Sequence, residues 1–321
     1  MYLLTLFACL EQPEPKSNIP KVDMLLVIDN SASMSQEVYQ LATNLDSLLT
    51  DSFNYQVGIT TTTVDYTGAG MSDALDPGEA GLLSSDIISS SDDNALERIR
   101  EILLCDVTYW DSSELFAPDN QDPDYVCDEE NVQHPEVPSI QYLDCLCGTS
   151  GWDNPSGSGQ EEPLEAALLA FCRSQVEPSD ACFTLEDGSD SVFTASDLGT
   201  NDGLLREASN KVVLIIGDEG DASRRIANGN TDIDPYISAF NSLELLPKVF
   251  SLGPNLVKDS DGLGYSLPCN NGGSTDWAAL RLLSMAEMTG AEYFSLEEAV
   301  DGSCQMTDFS THLSTIRNVF Q

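Results

Sequence analysis

Two runs constrain this chain more than any other feature: KVDMLLVID at residues 21–29 and KVVLIIGDEGD at residues 211–221. Each contains a short, nearly unbroken apolar stretch without helical period, and each ends in acid. Such a run is a strand buried on both faces, and strands of that kind belong to parallel sheets covered by helices. The intervening segments agree. SQEVYQLATNLDSLL (35–49) places Val38, Leu41, Leu45 and Leu48 at three- and four-residue steps, which predicts an amphipathic helix. NYQVGITTTTVD (54–65) is β-branched and reads as a strand, and GLLSSDIISS (81–90) as an edge strand. Helices are predicted over 93–104, 161–174, 236–246, 276–290 and 308–320, and further strands over 247–253 and 291–298. Pro163 suits the first turn of its helix, and Gly290 suits a helix stop.

This alternation predicts an α/β fold: a doubly wound, mostly parallel central sheet with helices on both faces. Ligands of such sheets bind beyond the carboxyl ends of the strands. Asp29 and Asp218 both stand at strand ends of that kind. Residues 1–20 read as a leader remnant and tether, and 21–321 as one domain. Two insertions interrupt it. Over about 106–156 periodicity fades and three cysteines gather, and about 177–210 is a second polar stretch.

Acidic residues number 54 against 13 basic ones, for a formal charge of −41. Such a polyanion repels phosphate backbones, so a nucleic acid is not an expected partner. The nine cysteines divide into one and eight. Cys9 ends MYLLTLFAC, which is similar to a bacterial lipobox, and the polar, proline-rich LEQPEPKSNIP that follows suits a tether. Lipidation at Cys9 would anchor an exported chain in the cell envelope or at the surface, in the outer membrane or periplasm; any membrane contact is expected through that anchor alone. The remaining Cys105, Cys127, Cys145, Cys147, Cys172, Cys182, Cys269 and Cys304 are expected to form disulfides.

Asp29, Ser31 and Ser33 follow the first strand in the pattern Asp-x-Ser-x-Ser. One carboxylate and two hydroxyls are hard oxygen ligands, suited to Mg²⁺ or Mn²⁺, with Ca²⁺ a third candidate. Ser33 with Gln36 also matches a helix capping box, which needs no ion.

With its amphipathic helix and YQVGITTTT, the segment VDMLLVIDNSASM resembles a von Willebrand factor A domain of a bacterial exported type. GSGQEEPLEAALLAF and NDGLLREASNKVVLIIGDEGDAS resemble the other two segments of that family's metal-ion-dependent adhesion site. The resemblance covers roughly residues 20–320. It implies Asp29, Ser31 and Ser33 as ligands and Asp218 as a ligand through water. The family's third segment offers a threonine where this chain has none; Ser158 lies near that place, with Glu161 and Glu162 as rivals. It further implies adhesion without catalysis: the ion accepts an Asp or Glu carboxylate from a protein partner. A glutamate in the third segment would weaken that acceptance. A purely structural ion is the alternative, and a metal-assisted hydrolase a more distant one. Glu219 and Asp221 read as solvated acids, with a supporting place behind the metal ligands as the alternative.

Enzyme motifs are sparse. The only histidines, His134 and His312, fall in the insertion and the last helix, and no Gly-x-Ser-x-Gly elbow accompanies them. Phosphate loops with lysine and His-Glu-x-x-His are absent from the sequence. Cys145 and Cys147 are expected in two separate disulfides, and KDSDGLGY (258–265) reads as a surface loop.

Overall fold

The run at 21–29 becomes strand β1 (Lys21–Ile28), buried at every position after Lys21. A computed structural model describes residues 19–64, 77–111, 115, 137–148, 161–185, 188–227, 229–260, 264–269, 275–301 and 303–320. Cys9, Cys127, Ser158 and most of the 106–156 insertion lie outside the described residues.

The remaining strands are β2 (Asn54–Thr61), β3 (Ile88–Ser89), β4 (Asn210–Ile216), β5 (Lys248–Gly253), β6 (Val257–Lys258), β7 (Tyr265–Ser266), β8 (Tyr293–Ser295), β9 (Glu297–Val300) and β10 (Ser303–Met306). Six form one mixed, mostly parallel sheet in the order β3-β2-β1-β4-β5-β8. Only β3 runs antiparallel, against β2. Successive strands from β1 lead one way and those from β4 the other, so chain direction across the sheet reverses between β1 and β4. Ile28 pairs with both Thr61 and Ile216, which aligns the carboxyl ends of β1, β2 and β4.

The helices are α1 (Ser35–Thr43), α2 (Leu45–Leu48), α3 (Ala95–Glu101), α4 (Ile140–Cys147), α5 (Pro163–Arg173), α6 (Asp234–Ser242), α7 (Asp276–Thr289) and α8 (Phe309–Asn318). Alternate residues of β1 enter two separate cores. Met24, Leu26 and Ile28 pack with Val38, Leu41, Leu313 and Ile316 of α1 and α8. Leu25 and Val27 pack with Leu164, Leu168 and Phe240 of α5 and α6.

Several elements differ from the sequence expectation. The helix expected over 35–49 breaks at Asn44, whose side-chain amide donates to the Gln40 carbonyl at 2.8 Å. Such a local bond competes with the helical ladder. The strand expected over 81–90 shrinks to Ile88–Ser89. Its first residues turn instead to pass α5: a Cβ on Gly81 would sit 2.3 Å from the Ala170 amide nitrogen. The strand expected over 291–298 ends at Ser295; Leu296 is buried in the core, and the chain turns there into the hairpin β9–β10. α4 has no counterpart in the reading of the insertion as irregular. Ser139 caps it by accepting from the Tyr142 amide at 3.1 Å.

Disulfides join Cys105 to Cys147, Cys172 to Cys182, and Cys269 to Cys304. Cys145 is also disulfide-bonded, so Cys145 and Cys147 belong to different bridges. This is the chemistry of an oxidising compartment. Among the described residues no helix is long and apolar enough to cross a membrane.

Candidate metal centre

Three chain segments converge at the carboxyl edge where β1 meets β4. The first follows β1. The Asp29 amide extends the ladder by donating to the Ile216 carbonyl at 2.9 Å. The Asp29 carboxylate then turns back on its own chain, and its Oδ1 accepts from the Ser31 amide at 2.8 Å. This local turn is the one that aspartate favours. It brings the Ser31 and Ser33 hydroxyls within 3.1 Å of each other. Neither hydroxyl caps the helical turns that follow, so the capping-box alternative for Ser33 is not realised.

The second segment follows β4. Gly217 lets the two strand ends approach closely: a Cβ there would lie 3.1 Å from both Cβ and Oδ2 of Asp29. The Asp218 amide reaches the buried Met34 sulfur at 3.1 Å. Its carboxylate lies beside Ser33 and Asp29.

The third segment is the lead-in to α5. Two backbone bonds stitch it to the edge: the Glu162 amide to the Thr62 carbonyl at 3.0 Å, and the Ala222 amide to the Glu161 carbonyl at 2.8 Å. The two glutamates then part. Glu161 turns to the edge, where its Oε2 accepts from the Thr62 hydroxyl. Glu162 turns away and pairs with Arg224 at 3.0 Å.

Asp29 and Glu161 are almost wholly buried, at 1% and 2% exposure. One oxygen of each, Asp29 Oδ2 and Glu161 Oε1, has no hydrogen-bond partner, and neither has the buried Oδ1 of Asp218. Unserved carboxylate oxygens of this kind cost free energy unless a cation or protons neutralise them. The ionisation follows. Burial and then the Asp218 charge push Asp29 up to about 8. Burial and then Asp29 push Glu161 up to about 10. Asp218 is raised by burial, and the neighbouring Ser33 hydroxyl opposes the rise. By type, carboxylates and hydroxyls suit a hard divalent cation, although the carboxylate oxygens of Asp29, Glu161 and Asp218 do not all lie within 4.8 Å of one another.

Two further residues depart from expectation. Asp221, expected to be solvated, is fully buried. It accepts from the Leu164 amide at 3.1 Å at the start of α5 and pairs with Arg281 at 3.3 Å. Thr62 lies in a stretch whose sequence reads only as strand; its place one residue beyond Thr61, level with Asp29, is the signal that marks it. Elsewhere Cys269, Glu297 and Cys304 bring ligand atoms within 4.8 Å of one another, but the two sulfurs are bonded to each other and offer no thiolate.

No family model and no curated protein matches this chain.

The raised acids imply a pH dependence. For Asp29 and Glu161 the folded values lie above the ordinary 3.8 and 4.5. Stability from such groups is fully present below the unfolded values and is lost as pH rises toward the folded ones. Metal-free protein is therefore expected to melt at a lower temperature at about pH 8 than at about pH 5. Calorimetry in EDTA reads this directly. A flat profile over that interval would mean that the edge carboxylates are not strained as described.

Proposed function

We propose that this chain is a non-enzymatic, metal-dependent protein-binding domain with the doubly wound fold of the von Willebrand factor A type. Asp29, Ser31 and Ser33 would hold one Mg²⁺ or Mn²⁺, with Asp218 and Glu161 beside them; Ca²⁺ is the third choice. An Asp or Glu of a protein partner would complete the shell. The observation behind this reading is the trio of buried, unserved oxygens on Asp29, Glu161 and Asp218 at the reversal of strand order. The chain would act outside the cytoplasm, tethered to the cell envelope through a lipid on Cys9. With a formal charge of −41, it favours a partner that offers its carboxylate from a basic or neutral surface.

Glu161 favours a second reading. Three carboxylates around a divalent ion leave it less able to attract a fourth, so the ion would brace the strand ends without a partner. Capture of an envelope protein that requires Mn²⁺ and fails in EDTA supports the first reading; capture that is indifferent to both supports the second.

The ion itself is tested separately. A ligand bound only by the native state stabilises it by about 2.7 kcal/mol at a hundredfold excess over Kd. Mn²⁺ should therefore raise the melting temperature of the parent and leave Asp29→Ala unmoved. Equal shifts in both would assign the effect to the acidic surface at large.

A further inference from the structure

We propose that a cavity of about 370 Å³ beside Glu162 is a binding site for a lysine or arginine side chain of a protein partner. As a second contact of a partner held at the ion, it rests on the reading above; as a pocket for an organic cation, it does not.

The cavity adjoins the metal edge through consecutive residues. Glu162 follows Glu161, and Val64 lies two residues beyond Thr62. Its outer wall, Leu185 and 189–192, comes from the polar insertion, to which nothing else assigns a role. That wall is built. The Cys172–Cys182 disulfide ties its root to α5. Thr184 bridges to Asp190, the Ser191 amide donates to the Phe183 carbonyl at 2.8 Å, and the Leu185 amide donates to the Ser189 carbonyl at 2.9 Å. Arg225 reaches across from the opposite wall to the Thr184 carbonyl at 3.1 Å. A preformed pocket loses little ordering entropy on binding.

The lining selects the ligand. Val64, Leu185, Val192 and Ile226 give an apolar barrel, and Glu162, Glu165 and Asp190 give three carboxylates against two guanidiniums, that of Arg224 in the lining and that of Arg225 behind Glu165. Glu162 is matched by Arg224, and Glu165 by Arg225 and the Tyr236 hydroxyl. Among the described residues no ion pair reaches Asp190, at the exposed mouth. An anion would be repelled. A purely apolar side chain would gain nothing from the Asp190 charge. A long basic side chain lays its methylene stem on the apolar wall and carries its charge to the mouth.

The test uses n-butylguanidinium, observed by saturation-transfer NMR on the whole chain, with butan-1-ol and butanoate as neutral and anionic controls. The expected result is millimolar binding of the guanidinium that exceeds either control. Val192→Trp, which fills the cavity, should abolish it, and Asp190→Asn should weaken it about two- to fivefold, the worth of an exposed ion pair. Asp190→Lys, a surface change that spares the fold, should abolish it as well. Asp29→Ala should bind as the parent does, which separates this site from the fate of the metal reading. Equal binding by Val192→Trp and Asp190→Lys would assign the cation to the acidic surface, and loss in Asp29→Ala would assign it to the metal edge; either outcome overturns the proposal.

Discussion

Replacing Arg281 with methionine is expected to destabilise the protein by about 3–5 kcal/mol, the cost of stranding one member of a buried ion pair. For a chain of this size that lowers the melting temperature by roughly 10 °C. Arg281, on α7, is fully buried and holds one loop by six hydrogen bonds. Its Nη1 donates to the Asp221 carbonyl and carboxylate at 3.0 and 3.3 Å and to the Ser223 carbonyl at 3.1 Å. Its Nη2 and Nε reach the carbonyls of Ile226, Ala227 and Asn230 at 2.9–3.1 Å. The Trp277 ring covers the guanidinium at 4.6 Å. Methionine fills much of the volume but takes the guanidinium donors from Asp221 Oδ2 and from five carbonyls. Adding Asp221→Asn should recover part of the loss, because the stranded charge disappears. A loss under 1 kcal/mol, or no recovery in the double variant, would mean that the loop finds other partners. The same loop begins at Asp218, so the destabilised variant is also expected to bind Mn²⁺ more weakly than the parent.

Asp221 also marks the limit of what the sequence reveals. β1 and β4 are legible because unbroken apolar runs have few alternatives, and with them came the strand-end position of Asp29 and Asp218. Asp221 is not legible. In so acidic a chain an aspartate reads as solvated, and its partner Arg281 lies 60 residues away. The choice between Glu161 and Glu162 is hidden for a related reason. The two are adjacent and chemically alike, and only Thr62 on one side and Arg224 on the other separate their directions. α4 escaped because eight residues stabilised by a disulfide carry too short a pattern to stand out from an irregular segment.

Glu161→Gln is expected to move stability and metal affinity in opposite directions. Glutamine keeps the size of the side chain and can still accept from the Thr62 hydroxyl, so the packing at 2% exposure is preserved. It removes an acid that burial and the neighbouring Asp29 charge push up to about 10. In the parent without metal, each pH unit above the unfolded value of 4.5 costs stability until that folded value is reached. Glutamine carries no such cost. In EDTA the variant should therefore match the parent near pH 5 and exceed it at about pH 8, by on the order of 4 kcal/mol. With Mn²⁺ the order reverses in the increment: the parent gains a carboxylate–metal contact on binding, and the variant offers only an amide oxygen. The Mn²⁺-induced rise in melting temperature should then be smaller in Glu161→Gln than in the parent at the same excess of ion. If Glu161 instead faces no ion, the variant keeps its advantage at pH 8 while the Mn²⁺ increment stays unchanged. That result would leave Asp29, Ser31, Ser33 and Asp218 as the donors among the described residues, restoring the low ligand charge that a partner carboxylate needs. Calorimetry of the two proteins at both pH values, with and without Mn²⁺, therefore decides between an ion that braces the strand ends and one that can accept a partner.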